Sequence, residues 1–463
     1  MKRILVLAVV ILLGGLLVTA SWWAPRVHEL ARIGTGYGAK QMCSAVFVSG
    51  RDPEAIRATD LADLPGIVST RVDHEAGRVT ARAGWVRRAA KHRPGLGCTL
   101  ESENFHAMSL PRGIDYRPHR FPQAAPDDPL RRALVPVIES ALGEPQARHR
   151  ERGTRAVVVL HRGRIVGERY APGFDAGMPL PGWSIAKSAT NALAGVLVEY
   201  GTVNLDDPVP GWEENEESED YRSAVTLRHL LQMTSGLDVG EDYTDFFSDP
   251  VRMLFSLTDT ADFARRQGVA HEPGTHWAYT SATTNLLMWA LRQRIDDETA
   301  WAGFPRQALF APLGMKSAVM EPDPAGTFVG SSFMFATARD WARLGQLYLQ
   351  DGVWNGERIL PEGWVDFSRA PAPQAPKGRY GAHFWTNHGD PENGERPWPA
   401  LPADAYAGSG FQGQEVVIVP SRELVVVRLG LSRPGAWDRE WFSGAIIDVI
   451  DEVDPIDQAL VNP

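Results

Sequence analysis

Cysteine and lysine are the scarce residues of this chain. Two cysteines in 463 residues, Cys43 and Cys98, cannot build a disulfide scaffold or a four-thiolate zinc site. Lysine supplies only 6 of the 47 basic side chains, so a lysine in a chemical context stands out. Positive charge is in deficit as well. With 57 acidic residues the net charge is −10, which repels phosphate backbones and argues against a nucleic-acid partner. Disorder-promoting composition is missing: 44% of residues are hydrophobic, and 15 Trp, 10 Tyr and 17 Phe describe a globular protein. At roughly 100–200 residues per domain the length allows two or three domains, and no internal repeat divides it.

What is present begins at the N-terminus. Lys2 and Arg3 precede an uncharged run from Ile4 to Trp23, whose 20 residues as a helix reach about 30 Å, the thickness of a bilayer hydrocarbon core. Val18-Thr19-Ala20 offers a signal-peptide cleavage site, whereas Trp22 and Trp23 read as interfacial anchors of an uncleaved helix, the reading we favour. Either sends the remainder across the membrane, to the periplasmic side in a bacterium. There Cys43 and Cys98 are expected to pair, closing a loop worth about 4 kcal/mol.

Residues 24–125 show no strong helical periodicity and read as a small extracytoplasmic region of mixed structure. A Pro-rich stretch, Pro122 to Pro129, leads into the larger domain, 126–455, with a tail at 456–463. Ala156–Leu160 and Ile165–Tyr170 around Gly163 form a predicted hairpin, as do Gln414–Val419 and Glu423–Arg428 near the end. Helical periodicity follows Pro129 and Trp183, runs from Leu227 to Met233, and returns at 284–295, 338–351 and 436–452. Strands at both ends of the domain with helices between predict an α+β fold: one antiparallel sheet flanked by helices, with a helical subdomain. The acidic run Glu213 to Asp220 reads as a solvated loop.

Three stretches carry chemistry. Trp183-Ser184-Ile185-Ala186-Lys187 is a Ser-x-x-Lys at a helix start, a spacing that brings the amine within reach of the hydroxyl. A lysine serves as the base for such a serine when burial and neighbouring cations favour the neutral amine. By chance about 0.3 such pairs are expected in this composition, so the motif needs company. Trp277-Ala278-Tyr279-Thr280-Ser281 supplies a tyrosine able to shuttle a proton and a serine able to bond the lysine. Gly408-Ser409-Gly410-Phe411 leads into the last hairpin, where glycines admit a substrate close to an edge strand and an N–H can complete an oxyanion hole. Trp183, Trp277 and Trp385 are candidate pocket walls. His229, His271 and His276 lack metal spacing, and no metal or other cofactor is expected.

The ordered set of Ser-x-x-Lys, Thr226 to Leu237, Tyr-x-Ser and the glycine-rich strand resembles the class C β-lactamase type of serine hydrolase. That family holds β-lactamases, D-alanyl-D-alanine carboxypeptidases, esterases and 6-aminohexanoate-dimer hydrolases. The resemblance spans roughly residues 130–450 and includes Leu309 to Met315. It implies Ser184 as acylated nucleophile, Lys187 as base, Tyr279 as proton shuttle, Ser281 as partner of the lysine, and N–H groups of Ser184 and Phe411 beside Gly410 as the oxyanion hole. The family's Lys-Thr-Gly stands here as Gly408-Ser409-Gly410, without the cation that receives a β-lactam or peptide carboxylate. Together with the Tyr-x-Ser variant this points to the esterase and 6-aminohexanoate-dimer hydrolase branch, acting on a small-molecule ester or amide. The alternatives are a true β-lactamase or carboxypeptidase, a non-catalytic penicillin-binding-like envelope protein, and an α/β-hydrolase with its elbow at Gly182 to Ala186, which needs a strand directly before the serine.

Overall fold

A computed structural model describes residues 24–103, 105–143, 152–212 and 221–454, together with the helical backbone of residues 2–23. The acidic run 213–220 and the tail 456–463 lie outside the described residues, as do the side chains of the expected membrane segment 1–23. Among the described residues no helix is long and apolar enough to cross a membrane.

The first helix, α1, runs from Lys2 to Phe47, so residues 24–47 are helical where the sequence shows little periodicity. The reason is Gly34, Gly36 and Gly38, poor helix formers that make α1 a narrow rod others can approach. A Cβ on Gly36 would lie 1.9 Å from the Phe255 carbonyl oxygen, so only glycine permits this contact with the main domain. Against α1 packs an antiparallel sheet of β1 (Ser69–Asp73), β2 (Arg78–Ala83), β3 (Val86–Arg93) and β4 (Gly97–Leu100), in that order. Its core includes Met42, Val79 and Ala90 and is closed by the Cys43–Cys98 disulfide, the expected pairing.

The main domain opens with α2 (Pro129–Leu142), whose N-terminus Asp128 caps by accepting from the Arg131 N–H. It is built on a six-stranded antiparallel sheet. The predicted hairpins supply β5 (Thr154–His161) with β6 (Arg164–Tyr170), and later β12 (Gln414–Val419) with β13 (Leu424–Gly430). With β10 (Trp385–Thr386) and β11 (Tyr406–Gly410) the order is β10-β11-β12-β13-β5-β6. A small sheet joins β7 (Leu180–Pro181), β8 (Val319–Met320) and β9 (Met334–Ala336), with β9 central. The strand before Ser184 is thus two residues long and the main sheet wholly antiparallel, which excludes the α/β-hydrolase reading.

Between the hairpins lie α3 (Ile185–Glu199), α4 (Leu227–Gln232), α5 (Asp249–Phe255), α6 (Ser281–Arg292) and α7 (Ala338–Leu349). The chain closes with α8 (Arg439–Val453), which packs with α2 on one face of the sheet. Helix α3 is apolar on nearly all sides and buried from Ile185 to Leu197, the central element of the largest core. Burial of its N-terminal turn takes Lys187 away from the surface and leaves Ser184, just before it, half-buried.

Candidate active site

Trp183, immediately before α3, has φ +47°, a left-handed conformation rare for a bulky residue. Its indole N–H donates to Gln412 Oε1 at 3.3 Å, which ties this turn to the one after β11. Ser184 follows, and a turn later Lys187 is almost fully buried.

Lys187 Nζ is 3.2 Å from Ser184 Oγ, 3.0 Å from Ser281 Oγ and 3.2 Å from the Ser331 carbonyl oxygen. Each neighbour is held in turn. Ser281 is the first residue of α6, whose cap Thr280 accepts from the Thr283 N–H. Ser331 donates its N–H to Asn285 Oδ1, and the preceding Gly330 carbonyl accepts from Thr190 Oγ1 of α3. The sequence-predicted Ser184, Lys187 and Ser281 therefore meet at hydrogen-bond distances. Tyr279 offers Lys187 its ring rather than its hydroxyl, with Nζ 4.7 Å from the ring centroid, and Trp385 packs against Tyr279 at 5.3 Å. Trp277 lies one layer out, against Tyr380 and under the Arg379 guanidinium.

Glu241 was not legible in the sequence. Its carboxylate accepts from Ser281 Oγ at 2.6 Å, from the Ser281 N–H at 2.8 Å and from the Tyr243 hydroxyl at 2.9 Å. Burial, reinforced by Glu241's charge, pushes the Tyr243 phenol well above its usual range. The Tyr243 ring stacks on Phe411 at 5.7 Å. His383 lies behind the lysine, with Nδ1 3.0 Å from the Lys187 carbonyl and Nε2 3.2 Å from Thr284 Oγ1. Burial, with Lys187's charge, pushes this histidine down to about 3, so it stays neutral. No spacing rule links Glu241 or His383 to the Ser-x-x-Lys, since long-range packing alone brings them there.

The glycine-rich strand passes directly over α3. A Cβ on Gly410 would lie 2.2 Å from the Gly182 carbonyl oxygen and 3.0 Å from the Ser184 nitrogen. One on Gly408 would lie 2.8 Å from Ser188 Oγ and 3.2 Å from Ile185 Cγ2. The position where the resembled family carries its lysine has no room here for a long side chain. Phe411 follows at the mouth, partly exposed, edge-on to Trp183. Ser409 points to the other side of the strand, where its hydroxyl meets Glu415, itself paired with Arg439.

Residues 138–440 match the family described as Beta-lactamase. The 6-aminohexanoate-dimer hydrolase of Paenarthrobacter ureafaciens is 25% identical over 359 residues, covering 72% of this chain and 86% of that protein. Among solved structures, a Bacillus anthracis protein provisionally named a 6-aminohexanoate-dimer hydrolase superposes with a TM-score of 0.55 at 22% identity, covering 74% of this chain and 91% of the other. EstCE1, a hydrolase with promiscuous acyltransferase activity, gives 0.53 at 17%, covering 69% and 98%. At these identities the structural likenesses speak for the fold.

Proposed function

Because the chain belongs to the β-lactamase family, we propose that it is a serine hydrolase that cleaves a small ester or amide through an acyl-enzyme on Ser184. The observation that carries this reading is the contact between Lys187 Nζ and Ser184 Oγ, 3.2 Å, at the buried start of α3. In the proposed cycle Lys187 takes the hydroxyl proton while Oγ attacks the substrate's carbonyl carbon. Backbone N–H groups of Ser184 and Phe411 receive the developing oxyanion beside Gly410. Collapse breaks the bond to the alcohol or amine, which takes the proton from Lys187, with the ring of Tyr279 packed beside the amine. Water enters by the reverse route, and the acid leaves.

The crowding at Gly408 supports an ester or small amide over a β-lactam or peptide, because no cation can stand at that position to meet a carboxylate. The relationship to a 6-aminohexanoate-dimer hydrolase supports amides of short linear acids among the substrates. The uncharged run Ile4 to Trp23 and the Cys43–Cys98 disulfide support a membrane-tethered domain outside the cytoplasm.

The test is a hydrolysis panel of p-nitrophenyl acetate and butyrate, linear 6-aminohexanoate dimer and benzylpenicillin, with wild type and Ser184→Ala. Turnover of an ester or the linear amide, lost by roughly 10³-fold or more in the variant, is expected. Efficient turnover of penicillin with no activity on short-chain esters would contradict the reading.

A further inference from the structure

The end of the N-terminal domain nearest residue 23 carries an unusual surface. Of the large hydrophobic side chains that stand exposed, four are here: Val27 at 50%, Leu30 at 41%, Ile67 at 76% and Trp85 at 82%. Their common location follows from the register. Gly38 of α1 faces Thr70 and Gly34 faces Val68, so moving back along β1 moves toward the start of α1. Ser69 pairs with Arg82 and Ala83 with Val86, which brings Ile67 level with the β2–β3 turn at Gly84-Trp85. From Gly34 to Trp23 is about 16 Å of helix at 1.5 Å per residue, and Ile67 stands in the turn from Pro65 to Val68 that precedes β1. Residues 24–28 of α1 are all exposed.

The charge of this end opposes that of the chain. Residues 66–93 hold seven basic and two acidic side chains in a protein of net charge −10. Arg71, Arg82 and Arg87 are exposed, share one face of the sheet and have no ion pair among the described residues. Buried or paired arginines elsewhere in the chain, such as Arg155 and Arg428, serve the fold, but these three face solvent.

We propose that this tip, Ile67 and Trp85 with Arg82 and Arg87 behind them, docks onto an anionic bilayer surface and fixes the domain's orientation over it. A tryptophan at the tip of a turn suits the headgroup layer, and unpaired arginines suit lipid phosphates. That layer rises roughly 5–8 Å above the hydrocarbon. The proposal rests on the membrane-tethered reading of residues 4–23 given above, and the experiment separates the two.

The full chain carries Ile67→Cys or, as a control in the main domain, the exposed Glu392→Cys, each labelled with an environment-sensitive nitrobenzoxadiazole. The native cysteines are buried in their disulfide and do not compete. Flotation and emission are read with vesicles of phosphatidylcholine alone and of phosphatidylcholine with phosphatidylglycerol at 3:1. With the anionic vesicles, the label at 67 should shift to the blue and rise several-fold, while that at 392 stays unchanged. Arg82→Glu with Arg87→Glu should abolish the shift and leave flotation intact. A label at 67 that stays in water on floating protein overturns the docking surface and spares the tether. A shift that is equal on neutral vesicles and indifferent to charge reversal also overturns it, as does a label already shielded before vesicles are added, which means that another copy covers the tip. Failure to float overturns the tether and the docking together.

Discussion

Ser281 has one proton, and the carboxylate of Glu241 accepts it at 2.6 Å. Toward Lys187 the serine can then only accept, so the amine spends one N–H on Ser281 and another on the Ser331 carbonyl. The remaining tetrahedral position of the nitrogen faces Ser184, as a base requires. Lys187→Ala should accordingly lower kcat by about 10²–10⁴-fold. Glu241→Gln, which can donate to Ser281 and blur this directionality, should cost about tenfold in kcat with KM little changed. An equal loss in both parameters would instead make Glu241 part of substrate binding. His383 gives a pH prediction. The unfolded chain binds its proton near pH 6.5 and the folded one only near 3, so between these values the unfolded state holds more protons and stability is lost as the pH is lowered. Urea titrations at pH 7 and pH 3 should show that His383→Asn removes on the order of 4 kcal/mol of that acid-dependent loss. An unchanged acid limb would mean that His383 is protonated in the folded protein.

Elements with a strong local pattern were legible before the structure. Both hairpins of the large sheet and helix α3 stand within a few residues of where apolar periodicity places them, because alternation and 3.6-residue spacing report directly on burial. The half of α1 after residue 23 was not legible, since its glycines are chosen by neighbours distant in sequence rather than by helix propensity. The short strands β7, β8 and β9 carry too few residues to show a period. The same division runs through the site. Ser184 and Lys187 are one turn apart and announce themselves, whereas Glu241 and the Ser331 carbonyl arrive by tertiary packing and leave no local signature. Gly36→Ala tests the packing account of α1: with a methyl forced against the Phe255 carbonyl, the variant should lose about 1–3 kcal/mol in denaturant melts. A neutral result would show that α1 can shift without cost.

The molecule as a whole joins a small disulfide-closed domain to a hydrolase fold across buried polar contacts. Lys40 and Ser44 of α1 and the Cys98 N–H all bond Glu321, on the chain between β8 and β9. Glu321 donates its N–H to Phe333, two residues past the Ser331 carbonyl that bonds Lys187. Opening the disulfide by Cys43→Ser with Cys98→Ser should therefore destabilise the protein by about 4 kcal/mol in the loop-entropy account, read as a lowered midpoint of unfolding. The central claim, that Ser184 is a nucleophile activated by Lys187, is tested most directly by intact-mass measurement after treatment with a fluorophosphonate. One adduct on wild type, absent from Ser184→Ala and Lys187→Ala, is the predicted result. No adduct on wild type, or one that persists in Ser184→Ala, would contradict it.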